Sequence, residues 1–277
     1  MRKILFIAAA LCCLAACKNA NKNETENDAS ADVLVTDNCG VVQRVNPDKK
    51  VVYLVFTAHF SENDNGAFEN FDGIIPVLDT LKDRGVKGSF FPTGVCFRQE
   101  KYKAAIRRII DEGHYLSAHS NMHLHMCDEA DTSKLLVGLD SLTKDISAMA
   151  AELEAFGLEK SQFDYMIPPY ECYNKQNADD LHSLGYSLCN PTAGLVTGED
   201  WMPADAPNYH SAAEMVQNIW DFDRKEGLNG AIILVHAMVY PGRDAQDRTY
   251  VHLGEIIDGL RERGYDFGNF ADVTRQN

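Results

Sequence analysis

The sequence predicts an α/β fold, a distorted (β/α)7 barrel, on three observations. Short runs of β type alternate with longer stretches of helical period, which implies parallel strands with helical crossovers outside them. Helices repeatedly end at a glycine that leads straight into the next strand, a left-handed cap that costs little. No Gly-rich fingerprint follows the first strand and no phosphate loop occurs, so an open nucleotide-binding sheet has nothing to rest on.

The elements follow in order. Val51 to Phe56 reads as the first strand, and Ile74, Ile75, Leu78 and Leu81 make the helix face that ends before Gly85 and the strand Val86 to Phe91. Tyr102, Ala105, Ile106, Ile109 and Ile110 form a helix that stops at Gly113, ahead of the strand His114 to Ala118. A long helix is expected from about Asp131 to Phe156, then a strand at Phe163 to Ile167, a helix at Asn177 to Leu184 and a strand at Tyr186 to Cys189. A helix near Ala212 to Glu226 leads to the strand Ala231 to Val235. The helix Leu253 to Arg263 turns at Gly264 into a last strand, Tyr265 to Phe270.

Ahead of this domain, taken as residues 49–277, Arg2 and Lys3 precede an apolar run from Ile4 to Leu14 that ends in Leu14-Ala15-Ala16-Cys17. The run is shorter than the roughly twenty residues of a spanning helix, and its order is that of a signal peptide with a lipoprotein cleavage box. Residues 1–16 are therefore expected to be removed and Cys17 to be acylated, anchoring the chain at the cell envelope, with the outer membrane as the default. Residues 17–48 are expected to form a flexible tether, because 18–32 carry only alanine as an apolar type.

Removing residues 1–16 takes away two positive charges, so the formal net charge moves from −15 (26 − 41) to −17 (24 − 41). So acidic a chain does not suit nucleic acid, which needs a basic footprint. Cys39, Cys96, Cys127, Cys172 and Cys189 remain as an odd, widely spaced set with neither zinc-knuckle spacing nor a disulfide framework. One or two bridges would be compatible with an oxidising compartment. Oligomeric state is not legible.

A β/α barrel places its chemistry at the carboxyl ends of its strands. Thr57-Ala58-His59, His119-Ser120-Asn121-Met122-His123, Pro168-Pro169-Tyr170-Glu171, Asn190-Pro191-Thr192 and His236 fall there in turn. His119 and His123, four apart, can aim two imidazoles at one metal, and their place on a strand-to-loop corner favours ligands over packed or solvated histidines. The spacing of His125 from His123 suits a different face, so it reads as structural or as a support behind the ligands.

The order His119-Ser120-x-x-His123, Pro168-Pro169-Tyr170, Leu234-Val235-His236 resembles that of the polysaccharide deacetylase family, the carbohydrate esterases of NodB homology, over essentially the whole chain after the tether. The resemblance implies a distorted barrel of about seven β/α units that removes acetyl groups from chitin-like, peptidoglycan or xylan substrates. It also implies His119 and His123 as metal ligands, the backbone N–H at Tyr170 as an oxyanion donor and His236 as the general acid. Two departures mark a divergent branch. The family's Thr-Phe-Asp-Asp-Gly is absent, the strand ending Val55-Phe56-Thr57-Ala58-His59, and the arginine before Pro-Pro is Ile167. Thr57-Ala58-His59 with Asp64 is similar to the Thr-Gly-His form followed by Asp-Gly in a subset of members that includes glycan-utilisation lipoproteins.

His59 is then the expected third ligand, with Asp64 as its competitor, for a divalent metal, zinc first and cobalt or nickel as alternatives. Such a metal lowers the pKa of bound water toward about 7. Asp64 or Glu171 would act as base. Tyr170, Tyr173 and Trp201 are the candidates for contact with an acetylated glycan. Two further readings stay open: a catalytically silent glycan-binding lipoprotein on the same fold, and a hydrolase of another C–N or ester bond.

Overall fold

The computed structural model describes residues 31–63, 66–240 and 242–274. Its large compact unit begins at Asp32. The strands are β1 (Leu34–Thr36), β2 (Val42–Val45), β3 (Val51–Ala58), the pair β4 (Ser61–Asn63) and β5 (Gly66–Glu69), β6 (Ser89–Pro92), β7 (Tyr115–Leu116), β8 (Tyr165–Met166), β9 (Ser187–Leu188), β10 (Ile232–His236) and β11 (Asp266–Gly268). Between them run α1 (Ile74–Asp83), the short α2 (Gly94–Phe97), α3 (Lys103–Asp111), α4 (Leu139–Ala155), α5 (Lys175–Ser183), α6 (Ala212–Glu226) and α7 (Leu253–Glu262). None of these helices is long and apolar enough to cross a membrane.

β3 is the centre, buried at every position but its first, because neighbours cover both its faces. Side chains alternate along a strand. Val52, Leu54, Phe56 and Ala58 pack with Leu78, Ile106 and Ile257 of the surrounding helices, whereas Tyr53 and Val55 point to an inner cluster with Phe91, Tyr165, Leu234 and Phe270. The same alternation carries Thr57 to the inner side at the carboxyl end. The sheet order is β10-β3-β6-β7, all parallel, with β11 on the first half of β3. It continues through an Ala118–Met166 bridge to the β8–β9 pair.

The fold class is the expected one, and several boundaries move. The folded part starts earlier than residue 49: β1 and β2 lie inside the stretch expected to be a tether. Val41, Val42 and Val45 are buried, and β2 carries β1 along one edge and bridges Cys189 and Ala231 along the other, so that it joins the end of β9 to the start of β10. Asp37 holds the turn between β1 and β2 by accepting from the Cys39 and Val41 N–H groups. α4 starts at Leu139, not near Asp131, because Asp128 accepts from the N–H groups of Ala130 and Asp131 and Asp131 accepts from Ser133, turns that compete with helix. The outer strands β7, β8, β9 and β11 are shorter than their apolar runs. Residues 1–16 and Cys17 lie outside the described residues.

At the amino end of β7 the His114 ring is buried and accepts from the Gly88 N–H through Nδ1, which only a neutral ring can do. Burial pushes its pKa down to about 4. A proton therefore favours the unfolded chain, and the stability tied to this ring is complete above about pH 6.5 and is lost as pH falls toward 4. The loss is about 3 kcal/mol at most. Urea unfolding at pH 7 and pH 4.5 is expected to show a smaller pH effect for His114→Asn, whose amide oxygen can keep the Gly88 bond. An unchanged difference would assign the acid sensitivity elsewhere.

Candidate active site

The carboxyl ends of β3, β7, β8 and β10 open on a cleft of about 290 Å³ lined by Thr57, His119, His123, His125, Tyr170, Glu171, Trp201 and His236. Of five non-glycine residues with left-handed backbone among the described residues, three border it, His123 (φ 57°), Tyr170 (φ 59°) and Glu171 (φ 51°), and a fourth, the buried Ser120 (φ 60°), follows His119 directly. Such conformations cost energy and persist where surrounding structure fixes them, commonly at functional sites.

The loop after β7 is held from below. The Asp145 carboxylate of α4 accepts from the N–H groups of Asn121 (2.7 Å) and Met122 (3.0 Å), and Ser120 Oγ accepts from Leu124 N–H (3.1 Å). Arg98 donates to Asn121 Oδ1 at 2.7 Å. A methyl on Gly94 would stand 2.2 Å from that oxygen, so a side chain there would push the Asn121 amide off its Arg98 bond.

His119 is buried and gives its Nδ1 proton to the Ile167 carbonyl at 2.8 Å. That bond fixes the tautomer, leaving Nε2 as the bare nitrogen. Burial, against the Ile167 bond, pushes the ring down to about 3. His59 is fixed by a 2.9 Å contact of Nδ1 with Thr93 Oγ1, and burial pushes it down to about 4. Burial and its histidine neighbours also drive His123 far down. The His123 ring centroid is 4.6 Å from that of His59, 5.0 Å from His119 and 4.3 Å from Tyr170.

As they stand, no three His, Cys, Asp or Glu donors among the described residues close on one point. His59 and His123 lie face to face, 21° from parallel. The chemistry of the set nevertheless fits a borderline divalent cation: three adjacent imidazoles, all kept neutral by burial, two of them oriented through Nδ1.

Opposite these rings, His236 Nδ1 meets Asp200 Oδ1 at 2.9 Å, and Asp200 Oδ2 accepts from the Thr249 N–H at 3.0 Å. Burial raises the Asp200 carboxyl, but the His236 bond and the Thr249 bonds outweigh it and hold the group below its usual range. Asp200 and Asp145 were not legible in the sequence. Asp200 lies in an aperiodic loop between β9 and α6, and only its neighbour Trp201 stood out.

The other expected residues divide. Tyr170 and the half-exposed Trp201 border the cleft, and Glu171 does so with its carboxyl raised by burial. Tyr173, expected against the glycan, is outside the lining: its hydroxyl donates to Asp37 Oδ2 (2.5 Å) and accepts from Gln43 (3.0 Å), tying the strand-end loop to β2. Asp64 lies outside the described residues. His125, read as structural, stacks on Tyr170 with centroids 3.5 Å apart.

A family model described as polysaccharide deacetylase matches residues 44–189. The peptidoglycan-N-acetylmuramic acid deacetylase of Bacillus subtilis is 26% identical over 229 residues, 82% of this chain and 73% of that protein. The peptidoglycan-N-acetylglucosamine deacetylase of Listeria monocytogenes is 27% identical over 198 residues, 69% of this chain and 34% of that protein, so this chain spans about a third of its length. Among solved structures, the Bacillus subtilis enzyme superposes with a TM-score of 0.61 at 24% identity, covering 85% of each chain. A carbohydrate esterase family 4 pseudoenzyme from Bacillus anthracis gives a TM-score of 0.61 at 19% identity, covering 84% of this chain and 68% of that one. At these identities the superpositions establish the fold, a (β/α)7 barrel.

Proposed function

Because the chain belongs to the polysaccharide deacetylase family, we propose that it removes acetyl groups, N- or O-linked, from a glycan outside the cytoplasm. One observation carries this reading: His119, His123, Glu171 and the Asp200-anchored His236 border a single cleft at the strand ends. The N-terminal signal and Cys17 support a lipid-anchored site of action at the cell envelope.

His59, His119 and His123 would hold a divalent metal, zinc by preference for neutral imidazoles, with cobalt or nickel as alternatives. When bound, it polarises the acetyl carbonyl and favours deprotonation of the attacking water. Everything else falls to the chain. Two carboxylates line the cleft, Glu129, which faces His125 Nδ1 at 3.4 Å, and Glu171; the buried Glu171 is assigned as base, since burial raises its proton affinity in the direction a base requires. The Tyr170 N–H, at the left-handed turn, is assigned to the developing oxyanion. Asp200 accepts a hydrogen bond from the Nδ1–H of His236 and stays ionised, and its charge favours the imidazolium, whose Nε2 proton is then available to the departing amine or alkoxide. Trp201 offers an exposed face for a sugar ring.

Acetate release from N-acetylated peptidoglycan and chitin oligomers and O-acetylated xylan tests the reading. Glu171→Gln is expected to lower kcat by about 10²- to 10⁴-fold, the range of general-base catalysis, with KM little changed. One feature favours a second reading, glycan binding without turnover. Where the family has its aspartate pair the chain has Thr57-Ala58-His59, with Ala58 a buried methyl in the helix-facing core, and the arginine that accompanies the pair is the buried Ile167. Retained affinity for these glycans with no acetate released would select it.

A further inference from the structure

We infer that Cys127 and Cys172 are joined by a disulfide that ties the loop bearing His119 and His123 to the turn bearing Tyr170 and Glu171. Both residues are buried, and their Sγ atoms stand 2.9 Å apart, about 0.9 Å short of a bond. Nothing regular holds either segment at this point. Cys127 is in an irregular stretch with an isolated bridge to Leu135, and Cys172 follows Glu171 at the end of a single 3-10 turn. The remaining buried cysteines are engaged elsewhere, Cys96 against Thr93 Oγ1 and Cys189 against the Met166 carbonyl.

In forming the bridge each thiol gives up its hydrogen. The two electrons and two protons reduce one disulfide of the oxidant, a small-molecule or protein disulfide, to two thiols through a mixed intermediate. The attacking species is a thiolate. In the folded protein, burial and the Cys172 neighbour push Cys127 up to about 12, so exchange belongs to the folding chain rather than the finished one. The bridge spans 45 residues and sets the spacing of the His123 and Tyr170 rings, whether or not the cleft turns over a glycan.

The test is to refold the full chain with oxidised glutathione, alkylate it and digest it without reduction. A linked Cys127–Cys172 peptide is expected. Recovery of both as alkylated cysteines, or linked to other cysteines, would overturn the inference. A second measurement covers variants that fold poorly. Dithiothreitol is expected to lower the Tm of the oxidised parent by roughly 5–15 °C and to leave Cys127→Ala/Cys172→Ala unmoved. No fall in the parent, or an equal fall in the variant, overturns it as well.

Discussion

Replacing His119 and His123 together by alanine is expected to reduce bound divalent metal from about one equivalent to none and to lower acetate release by at least about 10³-fold. The size follows from what the metal contributes, since Lewis-acid stabilisation supplies several kcal/mol and each 1.36 kcal/mol is tenfold in rate. Inductively coupled plasma mass spectrometry of parent and variant reads the metal without any substrate. The fold should survive, because the losses are local to the cleft, one buried hydrogen bond to the Ile167 carbonyl of about 1–3 kcal/mol and the ring contacts of His123 with His59 and Tyr170, and circular dichroism checks this. A parent that takes up no zinc, cobalt or nickel would sink the hydrolytic reading.

Asp200→Asn is expected to cost about as much as His236→Ala, between about 10² and 10⁴ in kcat. Thr249 N–H needs an oxygen acceptor, so the asparagine carbonyl would face Thr249 and its NH₂ would face His236. The ring would then accept at Nδ1 and carry its one proton at Nε2 as a neutral imidazole, a far weaker acid than the imidazolium that the Asp200 charge favours. The variant should therefore lose kcat at neutral pH and recover part of it at lower pH, where the imidazolium forms without that charge. A purely structural defect would not produce this profile. Equal activity of Asp200→Asn and the parent would remove Asp200 from the mechanism.

Much of this architecture was legible because parallel strands covered on both faces write themselves as apolar runs: Val51 to Phe56 and Ala231 to Val235 need no context. His59, His119 and His236 were legible for a related reason, since each sits where such a run stops, and His123 through its spacing of four from His119. β2 was not, because four residues, two buried and two half-buried, carry no period. The helical stripe of α4 extends backward through Leu135, and the side chains that stop it, Asp128 and Asp131, act by local hydrogen bonds that apolar spacing does not register. Asp145 and Asp200 reach the site from elsewhere in the chain, 24 residues from Asn121 and 36 from His236, so only the folded arrangement pairs them.

β2 also governs the order in which the molecule can be completed. Its bridges run from Val42 to Cys189 and from Arg44 to Ala231, separations of 147 (189 − 42) and 187 (231 − 44) residues. Contacts so distant are slow to form, because the chain-closure entropy is lost before they repay it. The edge of β2 opposite β1 is thus completed only when the ends of both β9 and β10 are present. Completion of this edge is therefore a whole-chain event, and a chain cut before residue 231 is expected to leave the Arg44 side of β2 unpaired.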